Sequence, residues 1–311
     1  MASTSRHIPV MLSEVLCYLE PKDGETYVDA TFGNGGYSEA ILKAARCRVI
    51  AIDRDPSVIK RAEEIKKAYD KRFKFIAGTF GDLDKLVTEN INGIVFDIGV
   101  SSMQLDDDFR GFSFSKEAPL DMRMSKSGIS AQDIVNTYNE KALADLIYNY
   151  GEEKKSRQIA AKIVDYRVHK KIETTTELAN IIYQIMPKRF GQIDPATRTF
   201  QALRIAVNDE LDQLQKGLTS ATHILSQNGR IVVVDFHSLE DRIVKNFFAQ
   251  NTVKKIHTSR YHANDLPVCE SKYFCFASKA ITPTKEECAL NSRARSAKLR
   301  YAIKRKELDN E

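Results

Sequence analysis

Val28-Asp29-Ala30-Thr31-Phe32-Gly33-Asn34-Gly35-Gly36-Tyr37-Ser38 reads as the end of a buried strand, a glycine-rich turn and the start of a helix. Glycine lets the backbone approach a ligand with no Cβ in the way, and the amides at a helix N-terminus face that ligand. In open α/β sheets, ligands bind beyond the carboxyl ends of the strands, where the strand order reverses. Asp53 follows Gly33 by 20 residues and closes the next apolar run, Arg48-Val49-Ile50-Ala51-Ile52-Asp53. An acid there can accept hydrogen bonds from both hydroxyls of a ribose. Strand context and Asp53 together favour an adenosine-containing cofactor over a plain tight turn with a surface aspartate. A dinucleotide site needs G-x-G-x-x-G, but the third glycine position holds Ser38. S-adenosylmethionine has no phosphate, and loop backbone can hold its zwitterionic methionine end. A polar residue beside its sulfonium is then expected at the end of the fourth strand, where Asp97 stands. These motifs favour S-adenosylmethionine over NAD.

Outward from this stretch, apolar strands at residues 26–30, 48–53, 73–77 and 94–98 alternate with helical segments at 38–45, about 56–68 and 83–88. Repeated βα units of this length predict a parallel sheet with helices on both faces. The alternation then stops. Residues 106–128, rich in Asp, Gly, Ser and Pro, predict a long ordered loop, and such loops are usually functional. Helical stretches follow at 131–136, 140–148, 152–169, 176–186 and 195–206, with Thr175 or Thr176 as an N-cap. A helix at 211–225 leads into a buried strand at 230–236, and residues 297–304 alternate like an edge strand. Residues 253–270 resist assignment. The pattern predicts one α/β domain interrupted by a helical insertion: a first part at 1–105, the insertion at 106–209 as a substrate-recognition domain, and a second part at 210–311.

At 311 residues, with 42% apolar and 29% charged side chains, the chain is long enough to bury a substantial core. No apolar run approaches the roughly 18 residues of a membrane span. The opening MASTSRHIPV lacks the apolar segment of a secretory signal. The five cysteines, an odd number without a CxxC pair, fit a reducing compartment, so a cytoplasmic location is expected. His257, His262, Cys269 and Cys275 fall within nineteen residues but lack the spacing of a zinc knuckle, and no metal is expected. The net charge is only +5, yet residues 291–306 and 154–171 carry seven basic residues each. They are either a polyanion-binding surface or two solvated helix faces.

The run Asp97-Ile98-Gly99-Val100-Ser101-Ser102-Met103-Gln104-Leu105-Asp106 carries a resemblance to a known family. So do Arg110-Gly111-Phe112-Ser113-Phe114, Pro119-Leu120-Asp121-Met122-Arg123-Met124 and Ala196-Thr197-Arg198-Thr199-Phe200-Gln201-Ala202-Leu203-Arg204. Asp235-Phe236-His237-Ser238-Leu239-Glu240-Asp241-Arg242, the stretch from Asn291 to Arg300 and the opening His7-Ile8-Pro9-Val10-Met11 complete the set. With these motifs in order along nearly its whole length, the chain resembles the bacterial 16S ribosomal RNA (cytosine-N4)-methyltransferase family. The resemblance implies a class I S-adenosylmethionine-dependent methyltransferase fold, Rossmann-like, with an inserted helical domain. It also implies a cytidine substrate in the decoding region of the small ribosomal subunit.

Carried over residue by residue, the resemblance puts Gly35, Gly36, Tyr37, Asp53, Phe80, Asp97 and Gln104 around the cofactor. Tyr37 and Asp194 stand where the family usually has histidines. Tyr37 can still act through its backbone amide, but any imidazole role at Asp194 is in doubt. The exocyclic amine of cytosine is a poor nucleophile, so acceptors at the end of the fourth strand should localise its lone pair. Asp97, Ser101 and Ser102 are the candidates. His237 is a proton acceptor, an RNA contact or a structural histidine. The aromatic loop from Phe109 to Phe114 is expected to form a wall of the base pocket. Arg293, Arg295 and Lys298 are expected to grip 16S rRNA; no DNA or membrane partner is expected, and the state is open between monomer and homodimer. Two other readings are a nicotinamide-dependent oxidoreductase and an RNA-binding assembly factor with a dead pocket; the intact Asp53 and Asp97 argue against the latter.

Overall fold

A computed structural model describes residues 9–99, 108–253 and 273–306. The chain divides into two units, Met1–Gly99 with Asp212–Glu311, and Val100–Leu211.

The first unit holds one seven-stranded sheet. Its strands are β1 (Thr26–Asp29), β2 (Arg48–Asp53), β3 (Phe73–Ala77), β4 (Ile91–Asp97), β5 (Leu225–Asp235), β6 (Phe274–Ala277) and β7 (Lys298–Lys304). They lie in the order β3-β2-β1-β4-β5-β7-β6. Neighbours from β3 to β5 pair in parallel, and β7 runs antiparallel to both β5 and β6. The order reverses between β1 and β4, so a crevice for a ligand opens at their carboxyl ends. One face is covered by α1 (Leu12–Leu19), α2 (Gly36–Ala44) and α3 (Ile59–Tyr69), which pack Val15, Ile41 and Ile65 against Val95, Val232 and Val234. The other face packs Ile94, Phe96, Ile231 and Val233 against Leu83 of the short α4 (Leu83–Leu86) and residues further on. Near-continuous apolar strands follow from burial on both faces.

The mostly parallel α/β fold is as expected, with one correction at its far edge. Residues 297–304 do form a strand, β7, but it is not at the edge, because β6 pairs outside it. Alternation reports which face a strand buries, not how many neighbours it has.

The second unit is helical: α5 (Ala131–Thr137), α6 (Glu140–Gly151), α7 (Ser156–His169), α8 (Thr175–Ile185) and α9 (Thr197–Asn208). The next helices of the chain are α10 (Glu210–Ile224), α11 (Ser238–Asn251) and α12 (Lys285–Leu290). The insertion has its own core, including Leu143, Ile147, Ile159, Ile163, Leu178, Ile182 and Leu203. α8 is capped by Thr174 rather than Thr175 or Thr176: its hydroxyl takes the Glu177 amide while the Glu177 carboxylate takes the Thr174 amide. Glu152 adopts a left-handed conformation, φ 50°, so α7 begins at Ser156 instead of continuing from α6.

The loop at 108–128 is ordered by buried polar groups. Asn208 donates to the Met122 carbonyl at 2.8 Å and accepts from the Met124 amide at 2.9 Å. The Arg110 guanidinium donates to the carbonyls of Arg123 and Met124, both at 2.9 Å, and lies over the Phe112 ring. Phe112 is buried and Phe114 meets Phe200 edge-on at 4.9 Å. The expected wall of the base pocket is thus corrected for these two rings. They anchor the loop in the insertion's own core, and only Phe109 is exposed.

Candidate active site

Four strands of the parallel sheet end in aspartate: Asp29 on β1, Asp53 on β2, Asp97 on β4 and Asp235 on β5. Each of the four is held above the ordinary carboxylate range, first of all by burial. Acids gathered at one rim raise one another further and suit a cationic ligand.

Asp29 is fully buried and builds the glycine loop. Its Oδ2 accepts the Ser38 amide at 3.1 Å and the Ser38 hydroxyl at 2.7 Å, and its Oδ1 accepts the Thr31 amide at 3.3 Å. Burial pushes it up to about 6 against those hydrogen bonds. Gly33 and Gly35 take the positive φ values of 50° and 75° that the turn requires. The space in front of Gly35 and Gly36 is filled by protein, which corrects part of the expected reason for them. A Cβ on Gly36 would lie 2.2 Å from Pro9, and one on Gly35 would lie 2.4 Å from Ile65. These glycines admit neighbouring side chains as much as a ligand. What stays available is backbone: Asp29 takes the Ser38 amide, but the N-cap residue Gly35 has no side chain to cap with, so the amides of Gly36 and Tyr37 remain for an anion. The Tyr37 ring is in the core, its hydroxyl donating to the Val10 carbonyl, so only its amide can serve a ligand.

Asp53 accepts the Gly33 amide on Oδ2 at 2.7 Å and the Asp55 amide on Oδ1 at 2.8 Å. The Arg54 amide donates to the same carboxylate. Asp97 is joined to the loop by its amide, which donates to Thr31 Oγ1 at 2.7 Å. Its Oδ1 is occluded and has no hydrogen-bond partner among the described residues. Burial, then Asp29 and Glu240, push Asp97 up to about 8. Phe80 follows β3 and meets Phe96 edge-on at 5.8 Å. The structure thus brings Gly35, Gly36, Tyr37, Asp53, Phe80 and Asp97 to the carboxyl edge of one sheet. Ser101, Ser102 and Gln104 lie outside the described residues, as do His7, His257, His262 and Cys269.

His237 is the N-cap of α11. Glu240 Oε2 accepts the amides of Phe236 and His237 at 2.9 and 3.2 Å, and His237 Nδ1 accepts the Glu240 amide in a long 3.5 Å contact. The structural role is therefore occupied. Two acids go beyond the sequence-based set. Glu240 holds this turn. Asp235 is buried with neither carboxylate oxygen hydrogen-bonded among the described residues. Burial, with Asp241 and Glu240, pushes it up to about 8 against the pull of Lys298 and Arg300. The signal for Asp235 was present: it is another acid at the end of an apolar parallel strand.

The basic tail is a correction. Residues 298–304 form a strand, not a solvated helix face, and Lys298 is committed to Asp241 at 2.8 Å. Arg300 pairs with the same carboxylate at 2.7 Å, and Lys304 donates to the carbonyls of Thr222 and Leu225 at 2.8 and 2.6 Å. Arg295 is exposed.

S-adenosylmethionine fits this donor set. Uncapped amides suit its carboxylate, Asp53 suits its ribose, and the unpartnered Asp97 oxygen suits a positive charge. Among the described residues no helix is long and apolar enough to cross a membrane. A family model described as the MraW methylase family matches residues 4–305. The chain is 54% identical over 300 residues to ribosomal RNA small subunit methyltransferase H of Rickettsia akari (strain Hartford), covering 96% of this chain and 98% of that protein. It is 54% identical over 298 residues to the protein of the same name from Rickettsia massiliae (strain Mtu5), covering 95% and 97%, and 53% identical over 298 residues to that of Rickettsia africae (strain ESF-5), with the same coverage. With the match running nearly from end to end, the chain belongs to the MraW methylase family.

Proposed function

We propose that this chain uses S-adenosylmethionine to methylate the N4 amine of a cytidine in the decoding region of 16S rRNA, in the cytoplasm where the small subunit is assembled. Relatives matched over almost their full length bear the name of the small-subunit RNA methyltransferase. The observation that carries the reading is Asp97 Oδ1, a buried oxygen with no partner among the described residues, at the end of β4 beside the glycine loop. A buried polar atom without a partner costs about 1–3 kcal/mol, which a ligand can recover.

When bound, S-adenosylmethionine supplies a methyl group made electrophilic by the sulfonium. The chain's own residues do the rest. The amides of Gly36 and Tyr37 hold the carboxylate end, Asp53 holds the ribose and Phe80 flanks the adenine. Asp97 accepts a hydrogen bond from the substrate amine and keeps its lone pair aimed at the methyl carbon; Ser101, outside the described residues, is a candidate for the same role from the sequence. The resemblance assigns Gln104, which lies outside the described residues, to the cofactor pocket as well. Alignment of this kind can be worth about 7–11 kcal/mol. Asp97, largely protonated near neutral pH in the free enzyme, is drawn to its ionised form by the sulfonium charge and can then accept a proton, and the amine proton becomes acidic as nitrogen is alkylated. His237 serves by fixing the turn after β5.

Tritiated methyl transfer to small subunits from cells lacking this enzyme, followed by nucleoside mass analysis, tests the reading. Label in N4-methylcytidine is expected. Label in another nucleoside, or binding of NADH but not S-adenosylhomocysteine, refutes it.

A further inference from the structure

Residues 187–193, Pro187-Lys188-Arg189-Phe190-Gly191-Gln192-Ile193, connect α8 to α9, and every one of them is exposed. Phe190 is fully exposed and Ile193 is 80% exposed, so two large apolar side chains stand in water three positions apart. Isolated exposed apolar residues are ordinary, but this pair occupies a built loop. Its tip is a tight turn: the Gln192 amide donates to the Arg189 carbonyl at 3.3 Å, and Gly191 has φ 75°, which the third position of a type II turn requires. Phe190 therefore sits at the corner.

The base of the loop is clamped by Asp194. Its Oδ1 accepts the Ala196 amide at 2.9 Å and the Tyr183 hydroxyl at 3.0 Å, and its Oδ2 pairs with Lys188 at 3.1 Å. Lys188 also lies over the Tyr183 ring at 4.4 Å. Aspartate in the place where the family usually has histidine thus ties α8, the loop and α9 together. Nothing comparable holds the tip: the Arg189 guanidinium makes no ion pair or hydrogen bond among the described residues.

The surroundings are cationic. Lys155 at the start of α7 donates to the Ile185 carbonyl at 3.4 Å, which brings one end of the basic run to the loop. Arg198 in the first turn of α9 donates to the Glu152 carbonyl at 3.4 Å. Residues 152–157 and 186–198 together carry six lysines and arginines against three acids. An exposed aromatic beside the unpaired Arg189, with further lysines and arginines close by, suits unpaired RNA, in which bases stack on rings and phosphates meet Lys and Arg.

We propose that the 187–193 loop is an rRNA-docking element, in which Phe190 stacks on an unpaired base of the small subunit while Arg189 and the neighbouring lysines contact phosphates. This rests on the rRNA reading of the function. It is tested in the full-length enzyme with Phe190→Ala, Phe190→Tyr and Arg189→Ala. Phe190→Ala is expected to raise KM for small subunits by roughly fivefold to a hundredfold, the range of a lost base–aromatic stack. The kcat, the affinity for S-adenosylmethionine and the melting temperature should stay as in wild type, and Phe190→Tyr should restore KM. Arg189→Ala should lower the salt slope of subunit binding by about one unit. A photo-crosslinking residue placed at position 190 should label 16S rRNA. Unchanged KM in both alanine variants, or a crosslink to a ribosomal protein only, overturns the proposal alone. A wild-type enzyme that transfers no methyl to subunits overturns the rRNA reading and this proposal with it.

Discussion

Asp53 Oδ2 accepts the backbone amide of Gly33 at 2.7 Å. The residue expected to hold the ribose is therefore also a strut of the glycine loop, and these two roles are separable. Asp53→Ala removes both the charge and the strut. Asp53→Asn keeps an acceptor for Gly33 and loses the charge. We expect Asp53→Ala to weaken S-adenosylmethionine binding by about 1.5–3 kcal/mol, as for lost charge-assisted hydrogen bonds, and Asp53→Asn by less. Calorimetry on both variants checks this, and equal affinity to wild type in both removes Asp53 from the pocket.

The charge state of Asp97 gives a second prediction. Burial, Asp29 and Glu240 hold it up to about 8, so much of it is protonated at neutral pH. A cation bound beside it favours the ionised form and releases a proton. Affinity for S-adenosylmethionine should therefore rise as pH increases from about 6.5 to 8.5, by at most tenfold per unit. S-adenosylhomocysteine lacks the sulfonium charge and should show a shallower rise, and Asp97→Asn should flatten the difference between the two. Parallel slopes for both ligands in wild type would place the sulfonium away from Asp97.

How much of this was legible in the sequence depends on whether an element is fixed by its own residues. β1, β2 and β4 are short apolar runs closed by an acid, and both the strands and the rim of carboxylates can be read from that. β6 is four residues, Phe274–Ala277, and exists because β7 offers it an edge; no pattern of its own announces it. The basic tail misled because a charge run does not say what the charges meet: Lys298 and Arg300 face Asp241, fifty or more residues away in the chain. Phe112 and Phe114 misled in the same way, since an aromatic in a loop looks alike whether it packs inward or waits for a base. Asp194 was visible only as a departure, and its clamp on Tyr183, Lys188 and Ala196 needed the fold.

The anchoring of the 108–128 loop yields a third prediction. Phe112 is buried among the insertion's apolar side chains and lies under Arg110. Phe112→Ala should cost about 3–5 kcal/mol of stability, as large-to-small core changes do. The half-buried Phe114, edge-on to Phe200, should cost less. Chemical denaturation reads both. Full stability in Phe112→Ala with a loss of turnover would return the ring to the base pocket.

The last prediction follows from Asp235, whose carboxyl is buried beside Asp241 and Glu240 and rises to about 8. An unfolded aspartate titrates near 3.9, so between about pH 4 and 8 the native state binds the proton that the unfolded state has lost. Stability conferred by this group is then present in acid and falls as pH rises through that window, by at most about 1.4 kcal/mol per unit. Asp235→Asn is neutral throughout and should not share the fall. Melting temperatures of wild type and variant should lie close together at pH 4.5, and the variant should be the more stable at pH 8. Asp97 contributes a slope of the same sign in both proteins, so the difference between the curves isolates Asp235. Lys298 and Arg300 pull the other way, but both are already engaged by Asp241 at 2.8 and 2.7 Å. If those cations held Asp235 ionised instead, the variant would lose stability toward pH 8, and the reading of Asp235 as a buried neutral acid would be wrong.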